Sequence, residues 1–187
     1  WTIIDGGSVD NPVTDGDQGE DGGAASTETL VAIFGPYPSY DGDISASGSV
    51  SVSENVDGSL ALSWDLEGLE ASASGGIHIH AGVNCASLAE VGGHYWDIQQ
   101  YDESPWGAVQ YSSDASGVSL GAANVQTGYG LYDNKGHAVV VHAADGTRIL
   151  CGVLNGDDDA GAGGGSSHVV TNRGELGVIV GAGGGGG

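Results

Sequence analysis

The sequence predicts an all-β domain of eight short antiparallel strands, arranged as a sandwich or a Greek-key barrel. No window repeats apolar residues at helical spacing, while several alternate them in twos. Asp57-Gly58, Ser116-Gly117 and Asp145-Gly146 supply residues that tolerate positive φ between the alternating runs. Many short strands with such turns are the pattern of a two-sheet β architecture.

The strands are expected, in order, at 28–34, 44–53, 59–66, 76–81, 107–111, 117–125, 137–143 and 147–154. In the fourth, GIHIHA, alternation sends His78 and His80 to one face and Ile77 and Ile79 to the other. The seventh, HAVVVHA, carries His142 near its end, with His137 five residues earlier on the opposite face of a regular strand. His137 therefore reads as a rim or core histidine, and His168 carries no signal.

Gly/Asp-rich stretches flank this domain. Residues 6–26 and 155–167 have too little apolar surface to bury and read as linkers. Beyond them lie short apolar segments containing Trp1, Ile3 and Ile4 at one end and Val178, Ile179 and Val180 at the other. The expected organisation is a terminal strand segment (1–5), a linker (6–26), the β domain (27–154), a second linker (155–167) and a terminal strand with a Gly-rich tail (168–187). Strand, linker, domain, linker, strand is the layout of a subunit that lends its ends to copies of itself. Edge pairing that never closes builds a filament; the other reading is that each end folds back on its own domain or belongs to the next repeat of a longer chain.

The 187 residues hold 25 acidic side chains against three basic ones, a net charge of −22. That balance argues against nucleic acid or an anionic membrane surface as partner. No apolar run reaches the roughly 20 residues that span a bilayer, so membrane insertion is not expected. The absence of methionine and the start at Trp1 point to a processed or excerpted chain. Cys85 and Cys151 are an even count in a loop-rich, lysine-poor chain, which fits a secreted protein with one disulfide. A pair of buried free thiols is the other reading.

Two imidazoles pre-aligned on one stiff strand, with His142 on another, point to a metal. An all-histidine set favours copper(II) or zinc, and donor type alone does not choose between them.

GIHIHAGVNC, GGHYW, GHAVVVH and DGTRILCGVL, in that order, resemble the copper/zinc superoxide dismutase family, and within it the copper-only repeat domains of extracellular proteins. The resemblance implies that His78, His80, His94 and His142 hold one copper ion, His94 standing where two-metal members bridge copper to zinc. It also implies a Cys85–Cys151 disulfide and a role for Arg148 in drawing in superoxide. After His94 come Tyr95, Trp96 and Asp97, then Asp102 and Glu103, with no further histidine, so zinc is not expected. Only 143–147 separates His142 from Arg148, where two-metal enzymes carry a long loop, so the copper should be more open to solvent. The resemblance further implies a ping-pong cycle in which His94 and Arg148 are catalytic. Superoxide is an anion and the chain is acidic, so long-range steering depends on screening, which suggests a saline environment.

Plainer roles stand beside these. Arg148 can form a surface ion pair of little worth. Tyr95, Trp96, Tyr101 and Trp106 are expected to cover the barrel rather than form a substrate or glycan surface. Copper storage, or a purely structural barrel, is a further reading.

Overall fold

The computed structural model describes residues 28–156. The terminal segments with Trp1, Ile3, Ile4, Val178, Ile179 and Val180, the first linker and the second linker beyond Gly156 lie outside the described residues.

Among the described residues ten strands form two five-stranded sheets: β1 (Leu30–Ile33), β2 (Gly35–Pro36), β3 (Ser47–Glu54), β4 (Leu60–Glu67), β5 (Ser74–His80), β6 (Gln110–Ser112), β7 (Ser119–Val125), β8 (Ala138–His142), β9 (Arg148–Val153) and β10 (Asn155–Gly156). One sheet runs β10-β1-β3-β4-β7 and the other β2-β9-β8-β5-β6, with every neighbouring pair antiparallel. The chain changes sheets after β1, β2, β4, β6, β7 and β9. The architecture is the sandwich of the two expected forms, not a closed barrel.

Each of the eight expected regions contains a strand, with three local differences. The first divides into β1 and β2 because the chain changes sheets at Phe34: β1 pairs with β3, whereas Gly35 and Pro36 pair with β9. The fifth begins as a 3-10 turn at Pro105–Ala108, where Pro105 suits a first helical position, and is extended only at β6. Asn155–Gly156 pairs with β1 as β10, two residues past the end of the eighth expected strand. Two four-residue helices, α1 (Leu88–Val91) and α2 (Leu131–Asn134), are too short to show helical periodicity.

The core lies between the sheets. β4 turns Leu60, Leu62, Trp64 and Leu66 inward, against Ile77 and Ile79 of β5 and Val139 and Val141 of β8. β8 is buried on both faces, because Ala138 and Val140 join Tyr37, Val91 and Cys151 in a smaller cluster. The Cys85–Cys151 disulfide ties the segment after β5 to β9 across 66 residues, with Cα atoms 5.9 Å apart. Closing a loop of that length contributes about 4 kcal/mol on a chain-entropy basis. Among the described residues no helix is long and apolar enough to cross a membrane.

Candidate metal centre

The register of β5 and β8 gathers three histidines on one sheet face. Ile77 pairs with Val141 and Ile79 with Val139 toward the core, so His78 and His80 lie opposite Val140 and Ala138 on the outer face. His142 shares that face by alternation from Ala138 and Val140. The His78 ring lies over Gly76, where a β-carbon would clash with it.

His94 arrives from a loop. Ser87 caps α1, accepting from Glu90 N while its hydroxyl donates to Glu90 Oε2, and Gly92 at φ 69° ends the helix. The chain then runs back along the end of β5, with Ala81 N donating to Gly93 O (2.8 Å) and Tyr95 N to Ile79 O (2.9 Å). His94 thereby forms an isolated antiparallel bridge with His80.

One potential ligand atom from each of His78, His80, His94 and His142 lies within 4.8 Å of all the others. Donors at about 2 Å from one ion stand no more than ~4 Å apart, so the rings sit slightly open around a single position.

The ring nitrogens test whether a metal fits. His80 Nδ1 lies 3.0 Å from Gly92 O and His142 Nδ1 3.0 Å from Gly146 O. A carbonyl only accepts, so both Nδ1 atoms carry protons and both Nε2 atoms keep their lone pairs. Those two Nε2 atoms, with His78 Nδ1, are buried without a hydrogen-bond partner. Three orphaned nitrogens in one place are costly unless something accepts their lone pairs, and a metal ion does. His94 Nδ1 faces Ser104 Oγ at 2.9 Å, leaving Nε2 as its candidate ligand atom.

Burial lowers all four histidine pKa values. His78 falls to about 3, chiefly by desolvation and then through His94, His142 and His80. His80 also falls to about 3, chiefly by desolvation, which overrides the opposing bond to Gly92, with Arg148, His94 and His142 lowering it further. His94 and His142 shift down for the same principal reason. Near neutral pH the metal-free rings are therefore uncharged and competent as ligands.

No known protein-family model matches the chain. The Cu-Zn superoxide dismutase of Kluyveromyces lactis is 28% identical over 143 residues, covering 71% of this chain and 84% of that protein. A β-sandwich, a four-histidine cluster and a disulfide accompany that similarity. The chain is superoxide dismutase-like.

Arg148 lies beside the cluster of this superoxide dismutase-like domain. It pairs with His142 in the β8–β9 register and donates to Gly92 O (3.0 Å) and Tyr37 Oη (2.8 Å). Gly92 O thus accepts from both His80 and Arg148. The hairpin between His142 and Arg148 is closed by Ala143 N to Thr147 O at 2.8 Å, and Gly146 at φ 87° makes its turn. That turn also presents the carbonyl that fixes the His142 tautomer.

His137 is not part of the cluster. Its Nδ1 donates to His80 O at 3.2 Å and its ring stacks on Tyr95. Trp106 is fully buried, 6.1 Å from the His78 ring, while Tyr95 and Trp96 pack against the core. Tyr101 O accepts a bond from Trp96 Nε1 at 3.4 Å. Of the four aromatic residues, Trp106 is thus part of the core and Tyr95 and Trp96 pack against it.

Sequence reasoning missed the supporting groups Gly92, Gly146, Ser104 and Tyr37. The Ser87-x-x-Glu90 capping box was a visible signal for α1 and hence for the turn at Gly92.

Proposed function

We propose that the protein is a copper-only superoxide dismutase, secreted into an oxidising and saline environment. The observation that carries this reading is the set of three buried, partnerless ring nitrogens from His78, His80 and His142, in a superoxide dismutase-like sandwich, with Arg148 alongside.

His78 through Nδ1, and His80 and His142 through Nε2, would hold copper, with His94 as fourth ligand. Bound copper supplies the one-electron chemistry that oxidises one superoxide to oxygen and reduces a second to peroxide. His80 and His142 keep their orientation because backbone carbonyls hold their other nitrogens. His94 sits on a loop, partly exposed, with a serine hydroxyl at Nδ1, which would suit its imidazole to hold and pass on a proton at the site. Arg148 places a positive charge at the cluster, and its bonds to Gly92 and Tyr37 fix the guanidinium where an anion approaches.

Three observations favour one metal over two. Ser104 engages the His94 nitrogen that a bridging role would need, and the other described histidine, His137, lies outside the four-histidine cluster with its ring stacked on Tyr95. Asp97 accepts from Gln99 N and Gln100 Nε2. The disulfide is compatible with an oxidising compartment.

The test is stopped-flow decay of superoxide by the copper-loaded full chain, with free copper masked by chelator, beside the His78→Ala/His80→Ala variant. Rapid decay by the parent and none above background by the variant is expected. A loaded parent without turnover, as in copper storage, or a variant that keeps it, overturns the reading.

A further inference from the structure

A three-ring stack lies directly behind the histidine cluster. Tyr95 is sandwiched between His137, with centroids 4.0 Å apart and planes 20° apart, and Tyr129, at 4.5 Å and 18°. His137 is anchored through its ring, and the two tyrosines through their backbones. His137 Nδ1 donates to His80 O at 3.2 Å, Tyr95 O accepts from Trp106 Nε1 at 2.8 Å, and Tyr129 N donates to Thr127 Oγ1 at 3.3 Å.

The stack joins the His94 loop to the segment that leads into β8, and His137 also reaches β5 through the backbone of His80. Tyr95 follows His94 in the chain. His137 precedes β8, the strand that ends in His142, and its ring nitrogen holds the backbone of His80. His78, His80 and His142 need little help, since their strands are fixed by the β5–β8 ladder. His94 belongs to no named strand, and its neighbours Gly93 and Tyr95 reach β5 through only two backbone bonds. His80 and Arg148 also hold this loop at Gly92 O, Ser104 holds it at His94 Nδ1 and Trp106 at Tyr95 O, and the Tyr95 ring packed on His137 adds a contact behind it.

We propose that Tyr95 and His137 are positioning residues for the metal centre: their stack holds the His94 loop against β5, so that copper(II) meets four nitrogens instead of three. The inference rests on the four-histidine cluster being a copper site and is independent of superoxide turnover. Neither residue touches the ion. His137 has spent Nδ1 on His80 O, and its ring lies flat on Tyr95. Groups behind ligands commonly alter metal affinity by about 10–100-fold when removed.

The experiment titrates copper(II) sulfate into the full chain and follows electron paramagnetic resonance and affinity. The variants are Tyr95→Leu, His137→Leu, Tyr95→Phe and His94→Ala. The parent and Tyr95→Phe, which keeps the ring, should give the same four-nitrogen spectrum. Tyr95→Leu and His137→Leu should move toward the three-nitrogen spectrum of His94→Ala and bind copper about tenfold more weakly. Combining Tyr95→Leu with His94→Ala should cost nothing beyond His94→Ala alone, because both changes remove the same ligand. Should Tyr95→Leu fail to fold, Tyr129→Leu loosens the same stack from its outer side and should shift the spectrum in the same direction. Variants that bind within twofold of the parent with its spectrum overturn the positioning role, as does an additive loss on top of His94→Ala. A parent that binds no copper overturns the copper site and this proposal together, whereas unchanged variants of a copper-binding parent overturn this proposal alone.

Discussion

On the inner face of the β5–β8 pair, Ile77, Ile79, Val139 and Val141 are fully buried among other apolar side chains. On the outer face, one residue away along the same strands, His78, His80 and His142 bury three ring nitrogens with no partner. The outer-face ring nitrogens are as removed from water as the inner side chains, so the difference lies in what burial accomplishes. Apolar burial stabilises the fold directly, at roughly 25 cal/mol per Å². Burying an unpaired imidazole nitrogen costs free energy, and the cost persists until a ligand takes the lone pair. The inner face therefore accounts for the sandwich, and the outer face makes sense only with an ion.

That contrast is broken most severely by changing the outer face. His80→Ala should weaken copper(II) binding by more than the roughly 100-fold that supporting groups contribute, while leaving the unfolding midpoint of the metal-free chain close to the parent's. Competition titration and urea unfolding together check both halves. The complementary change, Ile79→Ala, should destabilise metal-free and metal-loaded chains alike by about 2–5 kcal/mol, as for other buried Ile truncations. Its copper stoichiometry should stay unchanged wherever the variant is folded.

Arg148→Ala should leave copper stoichiometry as it is and slow superoxide decay by about tenfold, the scale of local charge effects on the approach of an anion. Rising salt should narrow the gap between parent and variant. Acid acts on the outer face as well. His78 and His80 have folded pKa values near 3 in the metal-free chain, against 6.5 for an unperturbed ring. Between those limits the unfolded chain binds more protons, so metal-free stability is complete above pH 6.5 and declines as pH falls toward 3. A thermal-melt series across that range should show the decline in the parent and a shallower one in His78→Ala/His80→Ala.

The contrast between faces was legible in the sequence at β5, because Gly-Ile-His-Ile-His states which residues oppose which once the segment is a strand. The remaining strands were legible for the same reason, and His94 through the resemblance of its Gly-Gly-His setting. The groups that make the histidines into a site were not. Gly92 and Gly146 act through backbone carbonyls, which no side-chain pattern encodes, and they reach His80 and His142 only after the α1 turn and the 143–147 hairpin are in place. The division of the first strand depends on which sheet each half joins, a tertiary matter. His137 was legible as a histidine outside the cluster, but its contact with Tyr95 requires two segments 42 positions apart in the chain to meet.

The central claim is a single copper ion on the outer face that turns over superoxide. Its most direct test is superoxide decay measured on the full chain at graded copper loading, with zinc supplied in parallel and both metals counted. The rate should rise linearly to one copper per chain and be unaffected by zinc. Full copper loading without superoxide decay, or activity that needs a second metal, would contradict it.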